Sequence, residues 1–182
     1  MGLLDIFKKK KESTYDVTNL TVLDLDEGFI FDYNLSSWEV QEVYEYDWGD
    51  NIFTKEYKVS DGEKTLFLNV ENDDELEISL SEKVNVRKIG ANIVDYIQAN
   101  EKPPKELSFE SETYYFDEES PGYIRHMNEP ENWIELMSWD YYNNDETKTI
   151  CIEQFDDNKF DASYGKIIKE FEISNILPAQ KK

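Results

Sequence analysis

Hydrophobic and polar residues alternate along most of this chain, which is the pattern of half-buried β-strands. The alternation runs through residues 38–48, where Glu42 and Val43 interrupt it and predict a β-bulge or an edge position. It resumes at residues 53–59, and Asp61–Gly62 predicts a tight turn into the next strand. Further strands are predicted at residues 28–33, 66–70, 76–80, 107–109, 114–116 and 132–142. The sequence thus predicts a mainly β fold, a compact antiparallel domain of about ten strands that is sandwich-like or barrel-like.

One segment has helical spacing instead. Ile89, Ile93 and Ile97 recur every four residues within residues 87–100, which predicts one short amphipathic helix. The two consecutive prolines in residues 102–105 predict a rigid connector after it. The Ser-Pro-Gly sequence at residues 120–122 predicts a turn.

The chain divides into a basic, amphipathic N-terminal segment, residues 1–12, and a single β-rich domain over residues 13–180. Within the domain, residues 61–84 align weakly, without gaps, to residues 145–168. Two explanations stay open, because alternating strands also resemble one another by chance. If the similarity is a true internal repeat, the helix and the Pro-Pro connector join two pseudo-repeated units, residues 18–86 and 105–178.

The net charge of the chain limits the kinds of molecule that it can bind. The chain has 19 Lys and Arg against 41 Asp and Glu, a net charge of −22, which predicts no nucleic-acid partner because phosphate is repelled. The positive charge is concentrated at the ends: without the net +2 of residues 1–12 and the two C-terminal lysines, the remaining chain carries −26. Aromatic residues make up 14% of the chain, so the acidity does not indicate disorder.

Few residues suit catalysis. His126 is the only histidine and lies in a turn-rich stretch, and the single cysteine, Cys151, alternates within an apolar strand. Asp-rich turns could attract calcium, but none has the spacing of an EF-hand loop. We therefore predict a non-enzymatic protein with no catalytic residue, no cofactor and no metal site.

Two sets of residues are candidates for contacts. Trp48 lies beside Asp47 and Asp50 at a turn, and an aromatic ring among carboxylates suits a basic protein surface or a polyamine. The N-terminal segment has no secretory signal pattern, and it is either a solvated end or a peripheral membrane contact. Its candidate membrane residues are Leu3, Leu4, Ile6, Phe7, Lys8, Lys9, Lys10 and Lys11.

The sequence resembles a bacterial family catalogued only as a domain of unknown function, number 4178. The resemblance covers roughly residues 20–178 and departs at Phe67, where a tryptophan is expected. Its most similar segments are residues 23–33, 37–40, 44–48, 54–59, 66–68, 138–142, 150–154, 164–165 and 175–178.

The resemblance implies a context and no catalytic residues. Such domains look like cytoplasmic companions of phage-shock-type envelope-stress systems and also occur near polyamine aminopropyltransferases. We therefore expect a non-enzymatic acidic binding or adaptor domain in a bacterial membrane-stress system, cytoplasmic or peripheral to the membrane, with an unidentified protein partner. The alternative is a protein that binds a small cation, either calcium or a polyamine.

Overall fold

A computed structural model of the chain describes residues 19–73, 75–156 and 159–179. The described part contains eleven strands and two α-helices, with a short 3₁₀ helix at Val22–Asp24 and another at Glu170–Glu172. The first half comprises β1 (Ile30–Tyr33), β2 (Ser36–Asp47), β3 (Phe53–Ser60), β4 (Thr65–Asn72), β5 (Leu76–Val84), α1 (Val86–Ile89) and α2 (Ile93–Asn100). The second half comprises β6 (Glu106–Phe109), β7 (Glu112–His126), β8 (Ile134–Asn143), β9 (Lys148–Asp156), β10 (Lys159–Ile168) and β11 (Ser174–Leu177). The mainly β, antiparallel fold predicted from the alternation is confirmed.

All eleven strands form one antiparallel sheet, in the order β11-β1-β2-β3-β4-β5-β10-β9-β8-β7-β6. An additional pairing between β2 and β7 joins residues 44–47 to residues 123–126 and closes eight of the strands into a ring. The two halves of the chain therefore meet at two seams, β5 against β10 and β2 against β7.

The backbones approach very closely at both seams. A Cβ atom on Gly165 would lie 2.7 Å from the carbonyl oxygen of Leu80 across the β5–β10 seam. A Cβ atom on Gly122 would lie 2.5 Å from Cε3 of Trp48 near the β2–β7 seam. Glycine, which has no Cβ atom, is therefore required at these two positions, where the ring closes.

The apolar side chains form two cores on the outer faces of the ring. The first lies over β1 to β5 and contains the fully buried side chains of Tyr57, Val59 and Leu68. The second lies over β6 to β10 and contains Tyr141 and Ile150, among others. Because successive side chains of a strand point to opposite faces, the alternating polar residues face the inside of the ring.

The helical segment is interrupted. Ile89, Ile93 and Ile97 are all buried in the second core, as their spacing predicted. Gly90 adopts an extended backbone with φ −162°, which ends α1 and separates it from α2, so two short helices replace the single predicted one.

The turn predicted at residues 120–122 is wrong, because these residues lie inside β7. Pro121 pairs with Met137 of β8. On its other side, β7 pairs with β6 only over residues 112–115 and with β2 only over residues 123–126. Pro121 thus lies where one edge of the strand is unpaired, a position that tolerates a residue without a backbone N–H.

The two halves share several local features. The β1–β2 and β6–β7 connections are both two-residue turns with positive φ at both positions, the pattern of a type I′ turn. A bulge follows in each half, between residues 40 and 42 of β2 and between residues 116 and 118 of β7. The first of these bulges confirms the irregularity predicted near Glu42, whereas a common origin of the two units stays a prediction.

Candidate functional site

The ring encloses two cavities that meet near its middle. One has a volume of about 550 Å³ and is lined by both acidic and basic side chains; we call it the mixed-charge cavity. The other, of about 350 Å³, is lined by residues of seven of the eight ring strands and is called the acidic cavity below. Tyr46, Glu56 and Glu153 line both cavities and mark the boundary between them.

Carboxyl groups dominate the wall of the acidic cavity. Among the described residues that line it, none is Lys, Arg or His. Seven acidic residues line it, namely Glu56, Glu71, Glu77, Glu118, Glu119, Asp140 and Glu153, although the carboxylate of Glu119 accepts a hydrogen bond at 2.9 Å from the indole N–H of Trp139 in the second core. The cavity therefore combines unbalanced negative charge with partial removal from water.

Three of these carboxyl groups face one another in the outer part of the cavity. Glu71 of β4 pairs directly with Glu77 of β5, and like charges in that arrangement repel. Burial raises the pKa of Glu71, and the nearby charges of Glu77 and Glu118 raise it further. Tyr142 donates a hydrogen bond to Glu77 at 3.1 Å, which stabilises that carboxylate. An incoming positive charge would relieve this repulsion.

The boundary between the cavities is built on Glu153, which is 5% exposed. Its two carboxylate oxygens accept hydrogen bonds from different donors, Tyr46 Oη at 3.0 Å and Lys83 Nζ at 3.0 Å. Burial lowers the pKa of Lys83, but attraction to Glu153 and Glu56 outweighs burial, so the net shift is upward. Lys83 and Glu153 therefore form a tightly held ion pair.

Glu56 lies beside this pair without an ion-pair partner of its own among the described residues. Its carboxylate is 3.5 Å from Tyr46 Oη, the long limit of a hydrogen bond. Burial raises the pKa of Glu56 to about 7; Lys83 opposes the rise and the charge of Glu153 adds to it.

Asp140 of β8 is a second carboxyl group that burial perturbs. It accepts a hydrogen bond from Ser138 Oγ at 3.2 Å, and burial raises its pKa to about 7. The neighbouring Cys151 lies 3.3 Å from Ser138 Oγ, and burial followed by the charges of Asp140 and Glu153 raises the pKa of its thiol well above the usual value. The thiol is thus held in its neutral form, which is a poor nucleophile.

Trp48 lies at the edge of the acidic cavity, where it is half-buried. Its ring stacks on Tyr46 with centroids 5.2 Å apart, and its indole N–H donates to Thr54 Oγ1 at 3.0 Å. The structure therefore places an aromatic wall beside the carboxyl groups.

The two aspartates predicted to act with Trp48 do not line this cavity. Asp47 accepts a hydrogen bond from the backbone N–H of Gly49 at 2.9 Å, which shapes the turn. Asp50 is exposed on the same turn and has a φ of 50°. A contact between these residues and a partner stays a prediction.

Two basic residues that line the mixed-charge cavity, Lys83 and Arg125, form ion pairs. Arg125 forms an ion pair with Glu45, donates to the carbonyl oxygen of Pro130 at 2.8 Å and lies 4.4 Å from the ring centroid of Trp133. His126 Nδ1 accepts a hydrogen bond from the backbone N–H of residue 128 at 3.1 Å. These contacts fix the mouth of the ring that is opposite the acidic cavity.

The described part of the chain also bears on the other predicted sites. No group of three or more His, Cys, Asp or Glu suited to a metal ion occurs within residues 19–73, 75–156 and 159–179. In the same part of the chain, no helix has the length and apolar character needed to cross a bilayer. The predicted membrane contacts lie outside the described residues, and they are Leu3, Leu4, Ile6, Phe7, Lys8, Lys9, Lys10 and Lys11.

Sequence reasoning missed Glu56, Asp140 and Glu153, because 41 acidic residues make carboxylate pairs unavoidable in any reading of the chain. A signal was nevertheless present. Glu153 follows Cys151 by two positions in a strand, so both must point to the same face.

Comparison with known proteins supports the family resemblance. The profile of a family described as "Domain of unknown function (DUF4178)" matches residues 26–170. An uncharacterised protein of Aquifex aeolicus (strain VF5) is 24% identical over 183 residues, which cover 98% of this chain and 99% of that protein. No solved structure matches the chain.

Proposed function

We propose that this chain, which belongs to the DUF4178 family of domains of unknown function, is a non-enzymatic binding domain whose acidic cavity receives the positively charged amine of a ligand. The observation that carries the proposal is the meeting of Glu71, Glu77 and Glu118 in a cavity walled on one side by Trp48.

An alkylammonium group fits this chemistry in two ways. Carboxylates from β4, β5 and β7 attract its charge from different sides, and partial burial strengthens that attraction relative to open water. The face of Trp48 and the ring of Tyr46 favour a cation that also carries apolar CH₂ groups. A cavity of about 350 Å³ has room for on the order of ten water molecules, which accommodates a short alkyl diamine.

The same chemistry is presented by a free polyamine and by a lysine side chain of a protein partner. If the amine is the lysine side chain of a protein partner, the chain acts as an adaptor domain. From the family resemblance we further propose that the domain works in the bacterial cytoplasm, beside a membrane-stress system.

The test is thermal unfolding of the full chain in 1,4-diaminobutane, compared with sodium chloride at equal ionic strength. A ligand that binds only the folded state stabilises it by RT ln(1 + [L]/Kd), about 2.7 kcal/mol at 100 times Kd, whereas screening of surface repulsion is matched by salt. We expect a larger rise of Tm in the diamine than in the matched salt. Equal shifts would rule out a specific amine site.

Two controls locate the effect. Glu71→Gln/Glu77→Gln should abolish the diamine-specific rise, whereas Glu63→Gln/Glu131→Gln, which removes the same charge from exposed positions, should retain it.

Two other ligands are tested in the same assay: calcium chloride as the metal ion, and Nα-acetyl-lysine methylamide as a substitute for a lysine side chain of a protein partner. A specific shift with calcium alone would favour the metal alternative.

A further inference from the structure

Two carboxyl groups at the boundary of the cavities share one lysine: Glu153, which is buried, and Glu56, which is half-buried. Glu153 takes both available donors, Lys83 at 3.0 Å and Tyr46 at 3.0 Å, whereas Glu56 is left with the 3.5 Å contact to Tyr46. Of the two groups, Glu153 is therefore the one whose negative charge is compensated. An uncompensated carboxylate in a partly dry site is unfavourable, and the usual response is to take up a proton.

The surroundings of Glu56 contain more negative than positive charge. Tyr44, its direct pairing partner, and Tyr46 face it from β2, Lys83 from β5, Glu153 from β9 and Asp161 from β10. From β4, the residue that shares the cavity wall nearest to this boundary is the uncharged Asn69. Lys159 of β10 also lines the mixed-charge cavity, but the positive charge that acts on Glu56 is that of Lys83, against the negative charges of Glu153 and Asp161.

We propose that Glu56 is the proton-exchanging group of the acidic cavity, holding a proton while the cavity is empty and releasing it to water when an amine cation enters. The inference rests on the proposed function. In the exchange, the O–H bond of the Glu56 carboxylic acid breaks, the proton leaves to solvent, and the carboxylate then faces the R–NH₃⁺ group. Where Glu56 is protonated, one proton leaves as one ammonium group enters, so the two charges balance at this carboxyl group.

The perturbed acidity of the group agrees with this role, since burial raises the pKa of Glu56 to about 7. At that pH the carboxyl group is half protonated, so that full exchange releases about half a proton per ligand bound. Asp140, whose pKa is also raised to about 7 by burial, lies in the same cavity. The number of protons that Asp140 releases on ligand binding must therefore be measured separately.

The test is calorimetry of 1,4-diaminobutane binding at pH 7 in two buffers with different ionisation enthalpies, which gives the number of protons released. Wild type should release protons, and Glu56→Gln should bind the diamine while releasing about half a proton fewer. Glu63→Gln, on an exposed turn, should match wild type, and Asp140→Asn reports the contribution of Asp140.

A second measurement does not require the Glu56→Gln variant to bind the diamine. The ¹³C carboxyl resonance that is lost in Glu56→Gln should titrate near pH 7 in the ligand-free wild type, and at lower pH once the diamine is bound. Diamine binding with equal proton release in wild type and Glu56→Gln would overturn the exchange and leave the proposed function standing. No binding at any pH between about 5 and 9 would overturn both.

Discussion

The stability of the protein should depend on the charge of Glu56. Its pKa is about 7 in the folded chain and 4.5 at its ordinary value, because the folded state buries the group. Between these two pH values the unfolded chain binds fewer protons than the folded one, so the free energy of unfolding falls as pH rises through this window. Above pH 7 both states are ionised and the loss is complete.

The size of the effect follows from the two pKa values. Their difference, 7 − 4.5, corresponds to about 3 kcal/mol at 1.36 kcal/mol per pKa unit. Glu56→Gln keeps the shape of the protonated side chain and cannot ionise. We therefore expect this variant to exceed wild type by less than about 1 kcal/mol at pH 5 and by about 3 kcal/mol at pH 8, or roughly 6–12 °C in Tm at pH 8.

The assay is urea unfolding at several pH values from 5 to 8, with Glu63→Gln as the charge-matched control on an exposed turn. The quantity compared is the difference between variant and wild type, since Asp140 and other groups contribute to both curves equally. A difference that stays constant across this pH range would refute the argument that the half-buried Glu56 lacks a compensating charge in the folded state.

Three further predictions concern the rest of the fold. Gly165→Ala should lower stability by about 1–3 kcal/mol in urea unfolding, because the added Cβ would lie 2.7 Å from backbone at the β5–β10 seam, while Ser163→Ala in the same strand should have a small effect. Lys83→Met should lower the free energy of unfolding by about 1–3 kcal/mol at pH 8, since it leaves Glu153 buried and unpaired, and an unchanged stability would contradict the importance of that ion pair. Leu35→Gly should raise stability by roughly 0.5–1 kcal/mol in the same assay, because Leu35 is fully exposed at φ 66° in a turn that suits glycine; a loss of stability would show that the leucine has a packing role.

The strands could be predicted because hydrophobic and polar residues alternate along each of them, which is visible in the sequence itself. Buried residues lie two positions apart in the central parts of β3, β4 and β5 and in β2 before its bulge, and that bulge lies close to the interruption at Glu42. The turn preference of Pro and Gly gave a wrong prediction at residues 120–122, which lie inside β7. Here Pro121 fills an unpaired strand edge and Gly122 admits the ring of Trp48, and both reasons are tertiary.

The acidic cavity could not be predicted from the sequence. Alternation shows that Glu71 and Glu153 point away from apolar neighbours, but not that those faces meet inside a closed ring. Closure depends on the β2–β7 pairing, which joins residues about 80 positions apart and has no local signature. For the same reason, Trp48 was recognised as a candidate contact while its position beside the carboxyl groups was not.

The measurement that tests the central claim most directly is a titration of ¹⁵N-labelled protein with 1,4-diaminobutane, followed through the indole N–H resonances of the tryptophans. The account predicts a saturable shift of the Trp48 resonance, identified by its loss in Trp48→Phe, because this ring borders the acidic cavity. The resonance of Trp38, which is 5% exposed in the first core and donates its indole N–H to the carbonyl oxygen of Tyr33, should stay in place. A Trp48 resonance that does not move, or that moves equally in sodium chloride of the same ionic strength, would contradict the claim that the acidic cavity binds an amine.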